Sequence, residues 1–202
     1  MQDKAGIRDQ FIKTLGRNDI TTDIANVFID QAISRIQRTL RVPAMEKIVE
    51  FTTVLDQRSI IIPGDFLSMR EFYSGDCEVT YLPMGRFLAR GKNVGDPKNY
   101  TRVGGELLLS PRPLRGTELT LVYYGEIPDL VEDTDTNFLC AIAPDLLVYG
   151  ALCFAADHFV DDRKGAFEEA FNRIYDELEE QALLVEIEQP GMAISASTNL
   201  DY

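Results

Sequence analysis

The chain has one histidine, and the side chains around it are those whose types could do chemistry. His158 sits among Asp157, Asp161 and Asp162. At helical spacing Asp157 and Asp161 share one face, and His158 and Asp162 share another. Imidazole with carboxylates can hold a divalent metal or activate a nucleophile, but a metal needs three or four converging donors. No second histidine exists, and the three cysteines (Cys77, Cys140, Cys153) are scattered without a Cys-x-x-Cys pair. The expectation is therefore a solvated, charged helix end, with no metal, no cofactor and no catalytic residue. The cysteines read as buried free thiols of a protein kept in a reducing compartment.

Two other chemistries fail on spacing. GRFLARGK (Gly85–Lys92) is a near miss for a phosphate-binding loop. It has five residues between its glycines where four are needed, and Asn93 stands where a hydroxyl should follow the lysine. Gly-x-Ser-x-Gly is absent, and any histidine-dependent triad would have to use His158. An enzymatic or small-ligand domain built around His158 stands only as the minor alternative.

The elements that must position these residues alternate in grammar. Ile7, Phe11, Ile12 and Leu15 predict a short helix stopped at Gly16. Thr21 or Thr22 can cap a second helix carrying Ile24, Val27, Phe28, Ile33, Ile36 and Leu40, stopped by Pro43. Arg35, Arg38 and Arg41 near its end read as a solvated face that compensates the helix dipole. From Ile48 to Tyr124 the pattern turns to short runs of β-formers broken by Pro, Gly and Asp. The expected strands are Ile48–Leu55, Ser59–Ile62, Ser68–Ser74, Glu78–Leu82, Tyr100–Val103, Glu106–Ser110 and Glu118–Tyr124. Gly104-Gly105 supplies a hairpin turn, and Pro83–Pro97 reads as a long projecting loop.

Beyond an acidic connector (128–137), Asn137 or Thr136 caps a short helix, and Pro144 suits the first turn of the next. That helix is apolar almost all round, so it should be the buried one, with Gly150 and Ala151 admitting a close neighbour. The last helix puts Phe167, Phe171, Ile174, Leu178 and Val185 on one stripe and acids on the rest. The final stretch, QPGMAISASTNLDY, opens on a Pro-Gly break; its composition reads as a frayed terminus, and Met192, Ile194, Leu200 and Tyr202 are alternatively scattered anchors for an extended peptide. The fold class is thus α+β: a helical bundle (1–45 and 129–188) with an inserted small antiparallel β-barrel or sandwich (46–128) and an extended C-terminal tail (189–202).

Charge narrows the function. Residues 1–128 hold 17 Lys+Arg against 16 Asp+Glu, while 129–202 hold 3 against 17, which gives the net −13. Proteins that grip nucleic acid by its phosphates show the opposite bias. A surface that DNA slides past remains open. No apolar run approaches eighteen residues and the N-terminus has no apolar leader, so no membrane association is expected.

The order GDPKNYTRVGGELLLSPRP, LTLVYYGEIPDLVEDTDTNFL, PDLLVYGALCFAADHFVDDR resembles tailed-bacteriophage head-to-tail adaptor (connector) proteins. The matching features are Gly95, Pro97 and Tyr100; Tyr123, Tyr124 and Pro128; Thr136-Asn137 before Pro-Asp-Leu-Leu-x-Tyr-Gly-Ala-Leu; and Ala155, Ala156, Asp161 and Asp162. The similarity covers roughly residues 20–185. The resemblance implies a structural virion protein without enzymatic activity, found at the head-tail interface. It implies a homo-oligomeric ring, of twelve copies in such proteins, beneath the portal protein, extending the channel through which DNA passes only as cargo. It also implies a C-terminal segment docked on the portal (here Met192, Ile194, Leu200 and Tyr202). Contacts with a tail or nozzle protein would fall in the projecting loop, at Arg86, Phe87, Arg90 and Lys92. A tail-completion or stopper ring one layer lower is the neighbouring alternative.

Overall fold

A computed structural model of the chain describes residues 2–54, 57–90 and 93–188, the last four through their backbone alone. In chain order the helices are α1 (Lys4–Leu15), α2 (Thr22–Thr39), α3 (Met84–Ala89), α4 (Phe138–Ile142), α5 (Pro144–Phe159) and α6 (Lys164–Glu188). The strands are β1 (Glu46–Thr52), β2 (Ser59–Ile61), β3 (Phe66–Ser74), β4 (Cys77–Glu78), β5 (Thr80–Tyr81), β6 (Asn99–Val103), β7 (Glu106–Ser110) and β8 (Glu118–Gly125). The architecture is α+β, as the sequence predicts. The chain divides into two compact units, Met1–Pro43 with Ile127–Tyr202, and Ala44–Glu126.

In the helical unit, small residues let α5 sit at the centre. A Cβ added at Gly150 would lie 2.8 Å from the Ala32 Cβ of α2 and 3.3 Å from the Phe171 ring of α6, so both neighbours press on the same bare backbone. Leu146, Leu147, Ala151 and Leu152 are fully buried around it. The caps follow the sequence. The Thr21 and Asn137 side chains accept from the Ile24 and Cys140 amides at 3.4 and 3.1 Å. Gly16 closes α1 in the left-handed region at φ 70°. Val160 does the same for α5 at φ 52°, an uncommon place for a β-branched residue, and its side chain is 88% exposed.

The acidic connector is tied to the start of α1, mostly through its backbone and at Asp133 through its carboxylate. The amides of Lys4 and Ala5 donate to the carbonyls of Asp135 and Asp133 at 3.0 Å. Lys4 is itself buried, with its Nζ 2.9 Å from the Val131 carbonyl. Arg8 clasps Asp133 with two hydrogen bonds of 2.6 and 2.8 Å. The first turn of α1 thus binds the connector through the donors every helix start leaves unsatisfied.

The β unit holds two four-stranded sheets, in the orders β1-β8-β3-β4 and β2-β7-β6-β5. Ile60, Phe72, Val79, Leu107, Leu109, Leu119 and Leu121, drawn from both sheets, share one core. This is the sandwich form of the expectation; the described strands do not close a barrel. Two further differences are physical. The strand expected at Glu78–Leu82 is two strands that join different sheets, turning at the buried Val79. The pairing is not wholly antiparallel, because β5 lies parallel to β6. Parallel neighbours need a long crossover, which here is residues 82–98 with α3 inside it. The segment expected as a projecting loop is therefore partly helical, anchored by Phe87, which is 1% exposed.

Candidate functional site

The histidine constellation is an exposed helix end, with His158 and Asp162 facing water and Asp157 and Asp161 paired locally. His158 lies edge-on to Phe159 and Phe28, with ring centroids 4.7 and 5.6 Å away. Asp157 accepts from Lys164 at 2.6 Å. Asp161 accepts from Arg163, whose guanidinium and amide hold its carboxyl down to about 2. Arg163 also donates to the Leu15 carbonyl at 2.8 Å, so this pair ties the α5–α6 turn to the end of α1. Among the described residues no group of His, Cys, Asp and Glu is placed to hold a metal. Of the cysteines, Cys140 and Cys153 are buried, and desolvation pushes the Cys153 thiol up to about 12. Cys77 departs from expectation: it is exposed, opening an edge strand directly after the Gly75-Asp76 turn.

The arginines of α2 also do more than face water. Arg35 makes a two-pronged bond to Glu168 at 2.7 and 3.1 Å and lies 4.0 Å over the Phe171 ring. Arg38 remains exposed.

The surface most suited to a partner lies on the β unit, at the end opposite residues 44–46 and 125–126, where the chain joins the helical unit. Three segments are bound together there. Gly116 donates to the Thr53 carbonyl at 2.8 Å. Arg112 and Gly95 donate to the carbonyls of Asn93 and Arg112 at 2.8 and 2.9 Å, and Lys98 donates to Ser110 at 3.1 Å. Phe87 is the inward anchor of α3, and Arg58 reaches over its ring at 6.0 Å. That geometry leaves Arg86 and Arg90 exposed on the outside of α3, beside Leu88, which is 62% exposed, and Met84.

Together these segments present exposed Arg58, Arg86, Arg90, Lys98 and Arg115, with half-buried Arg112; Asp96 is the one carboxylate among their described residues. Arg86, Arg90, Lys98 and Arg115 make no ion pair among the described residues. Asp76 and Glu118 sit on the other sheet's half of the same end, so the basic face belongs to the half that carries α3. Leu114 and Val94 add exposed apolar surface between the cations. Exposed cations interleaved with apolar side chains suit an acidic protein surface better than a catalytic reaction.

The sequence-chosen residues fare unequally here. Arg86 and Arg90 are brought together on this face, and Phe87 holds it from within. Lys92 lies outside the described residues, as do Met192, Ile194, Leu200 and Tyr202. Sequence reasoning missed Arg58, Lys98, Arg112, Arg115 and Leu114. The signal available was PRPLRG, a proline-bounded loop with two arginines flanking an aliphatic residue.

A model of the SU10 adaptor protein family matches residues 3–190, across both units. Comparison with curated proteins gives no match.

Proposed function

The chain belongs to the SU10 adaptor protein family, and from that premise we propose that it is the head-to-tail adaptor of a tailed bacteriophage. In this reading several copies, twelve by analogy with such proteins, form a ring between portal and tail and lengthen the DNA channel. The observation that carries it is the extent of the family match, which takes in the helical bundle and the inserted β unit together. Adaptor proteins of this family are structural and not an enzyme class, and the pairing of Asp157 with Lys164 and of Asp161 with Arg163 accords with that. No helix among the described residues is long and apolar enough to cross a membrane.

The roles divide between the two units. The segment carrying Met192, Ile194, Leu200 and Tyr202 docks on the portal. The basic face of the β unit, which includes Arg86 and Arg90 of the α3 segment, meets the tail or nozzle protein, whose contacting surface should be acidic with aliphatic contacts. The helical unit has 10 basic and 22 acidic residues, the β unit 10 and 11. Acidic walls repel DNA, so a channel lined by the helical unit would let its cargo pass without holding it.

The test is a mixture of the full chain with its portal, imaged by negative stain and weighed by native mass spectrometry. Rings on the portal are expected from the full chain. A chain ending before Gln189 should keep its far-UV spectrum and melting temperature and lose portal binding. Equal binding by the truncated chain would overturn the assignment of that segment, and absence of any complex with the full chain would overturn the reading as a whole.

A further inference from the structure

Among the described side chains of α6, Leu178 is the last buried one, yet the helix runs on to Glu188. Leu183 and Leu184 on this extension are 59% and 54% exposed. Glu180, three and four residues before them, shares their side of the helix and is exposed too. An isolated extension of this length has little helical stability of its own in water, since most such stability comes from burying an apolar face. Its leucines therefore need a cover.

The same helical unit carries a groove of matching character. Arg35, Arg38, Thr39, Phe171, Asn172 and Tyr175 line a cavity of about 390 Å³ between α2 and α6. Its floor is aromatic, with Phe171 and Tyr175 stacked at 6.1 Å. Arg35 is already committed to Glu168. Arg38 is exposed and makes no ion pair among the described residues. The groove thus offers aliphatic-sized room beside an available cation, and the extension offers leucines beside an available carboxylate.

One wall of the groove is α6 itself. A continuous helix cannot fold back onto its own flank, so the extension can reach only another copy's groove. We propose that the α6 extension of one copy, through Glu180, Leu183 and Leu184, seats in the Arg38–Tyr175 groove of the next. Such a contact joins two different surfaces, so it repeats head to tail and can close into a ring. The inference rests on the adaptor reading only for why a ring is useful; the contact itself is a property of the free chain.

Sedimentation of the free full-length chain from micromolar to millimolar concentration tests it. The wild type should grow past dimer with concentration. Arg38→Glu, an exposed change that leaves the core alone, should weaken growth about tenfold, the order of one charge-assisted contact. Glu180→Lys should do the same, as should Leu183→Asp with Leu184→Asp, with melting temperatures unchanged. An equimolar mixture of Arg38→Glu and Glu180→Lys chains should regain the wild-type growth, because each defective surface finds a complementary one. A wild type that stays monomeric, growth that stops at dimer, or variants that associate like the wild type would each overturn the proposal. Loss of portal binding with association intact would reassign the extension to the portal. Failure of the full chain on its portal, with association intact, would sink the adaptor reading alone.

Discussion

The helical unit and the β unit use their charges in opposite ways. In the helical unit the buried or half-buried cations are committed: Arg8 to Asp133 and Arg35 to Glu168. Arg163, at its turn, is committed to Asp161. They stitch the connector and the helices, and the unpaired surplus is acidic. In the β unit the internal pairs, Lys47 with Asp65 and Arg70 with Glu46, lie toward the end where the chain enters and leaves. The opposite end keeps its cations in water. The lesson is that position, more than net charge, separates wiring from display. A β unit that is nearly neutral as a whole still presents a basic face.

Several substitutions would break or sharpen that contrast. Phe171→Ala empties the contact with Gly150 and removes the ring under Arg35. It should cost about 3–5 kcal/mol, read as a lower melting temperature for the helical amides in hydrogen exchange, with β7 and β8 unchanged. If both units lost protection equally, they would not be independent. Gly150→Ala, the overpacking counterpart, should cost about 1–3 kcal/mol in the same assay. Arg86→Glu with Arg90→Glu should leave both melts alone and weaken binding of the tail partner about tenfold at low salt, converging with wild type as salt rises.

Tyr123→Phe removes a 3.0 Å hydrogen bond to Asp65 and should cost the β unit about 1 kcal/mol. Burial first, and then the Asp65 carboxylate, push this phenol up to about 12. Its folded value lies above the ordinary one near 10, so its contribution is whole below pH 10 and lost as pH rises through about 12. Tyr73 and Tyr100 are raised as well, so urea titrations at pH 8 and 11.5 should show a loss in both chains, larger in the wild type than in the variant. The smallest effect has the opposite sign. Val160→Gly relieves a left-handed β-branched residue and should raise helical-unit stability by about 1 kcal/mol.

Much of this was legible in the residues. The apolar spacing of α2, the caps Thr21 and Asn137, the burial of α5 and the hairpin at Gly104-Gly105 all follow from local rules, and local rules act on local geometry. What escaped was non-local. A six-residue helix holding one buried side chain, Phe87, leaves too short a periodic signal to stand out from a loop. The parallel β5–β6 pair depends on where residues 82–98 travel. The basic face gathers Arg58, Arg86, Lys98 and Arg115 from four stretches of chain that only the strand register brings together. The charge of Asp133 and Asp135 was visible but not its use: the Asp133 carboxylate meets Arg8, more than a hundred residues earlier, and the Asp135 carboxylate accepts from the Val131 and Glu132 amides.

The interruption of the helical unit by the β unit has a consequence in time. α1 and α2 leave the ribosome first, with Phe28, Ile29, Ile33 and Ile36 awaiting α5. The whole β unit must be synthesised before that partner arrives. At about 5–20 residues per second the wait until Leu178 is on the order of ten seconds. The β unit, continuous from Ala44 to Glu126, can fold within it. Its finished sandwich sets residues 44–46 and 125–126 side by side through the Glu46–Tyr124 pairing. An 83-residue detour thereby becomes a short tether, so the late helices are delivered next to the early ones instead of searching for them across an open chain.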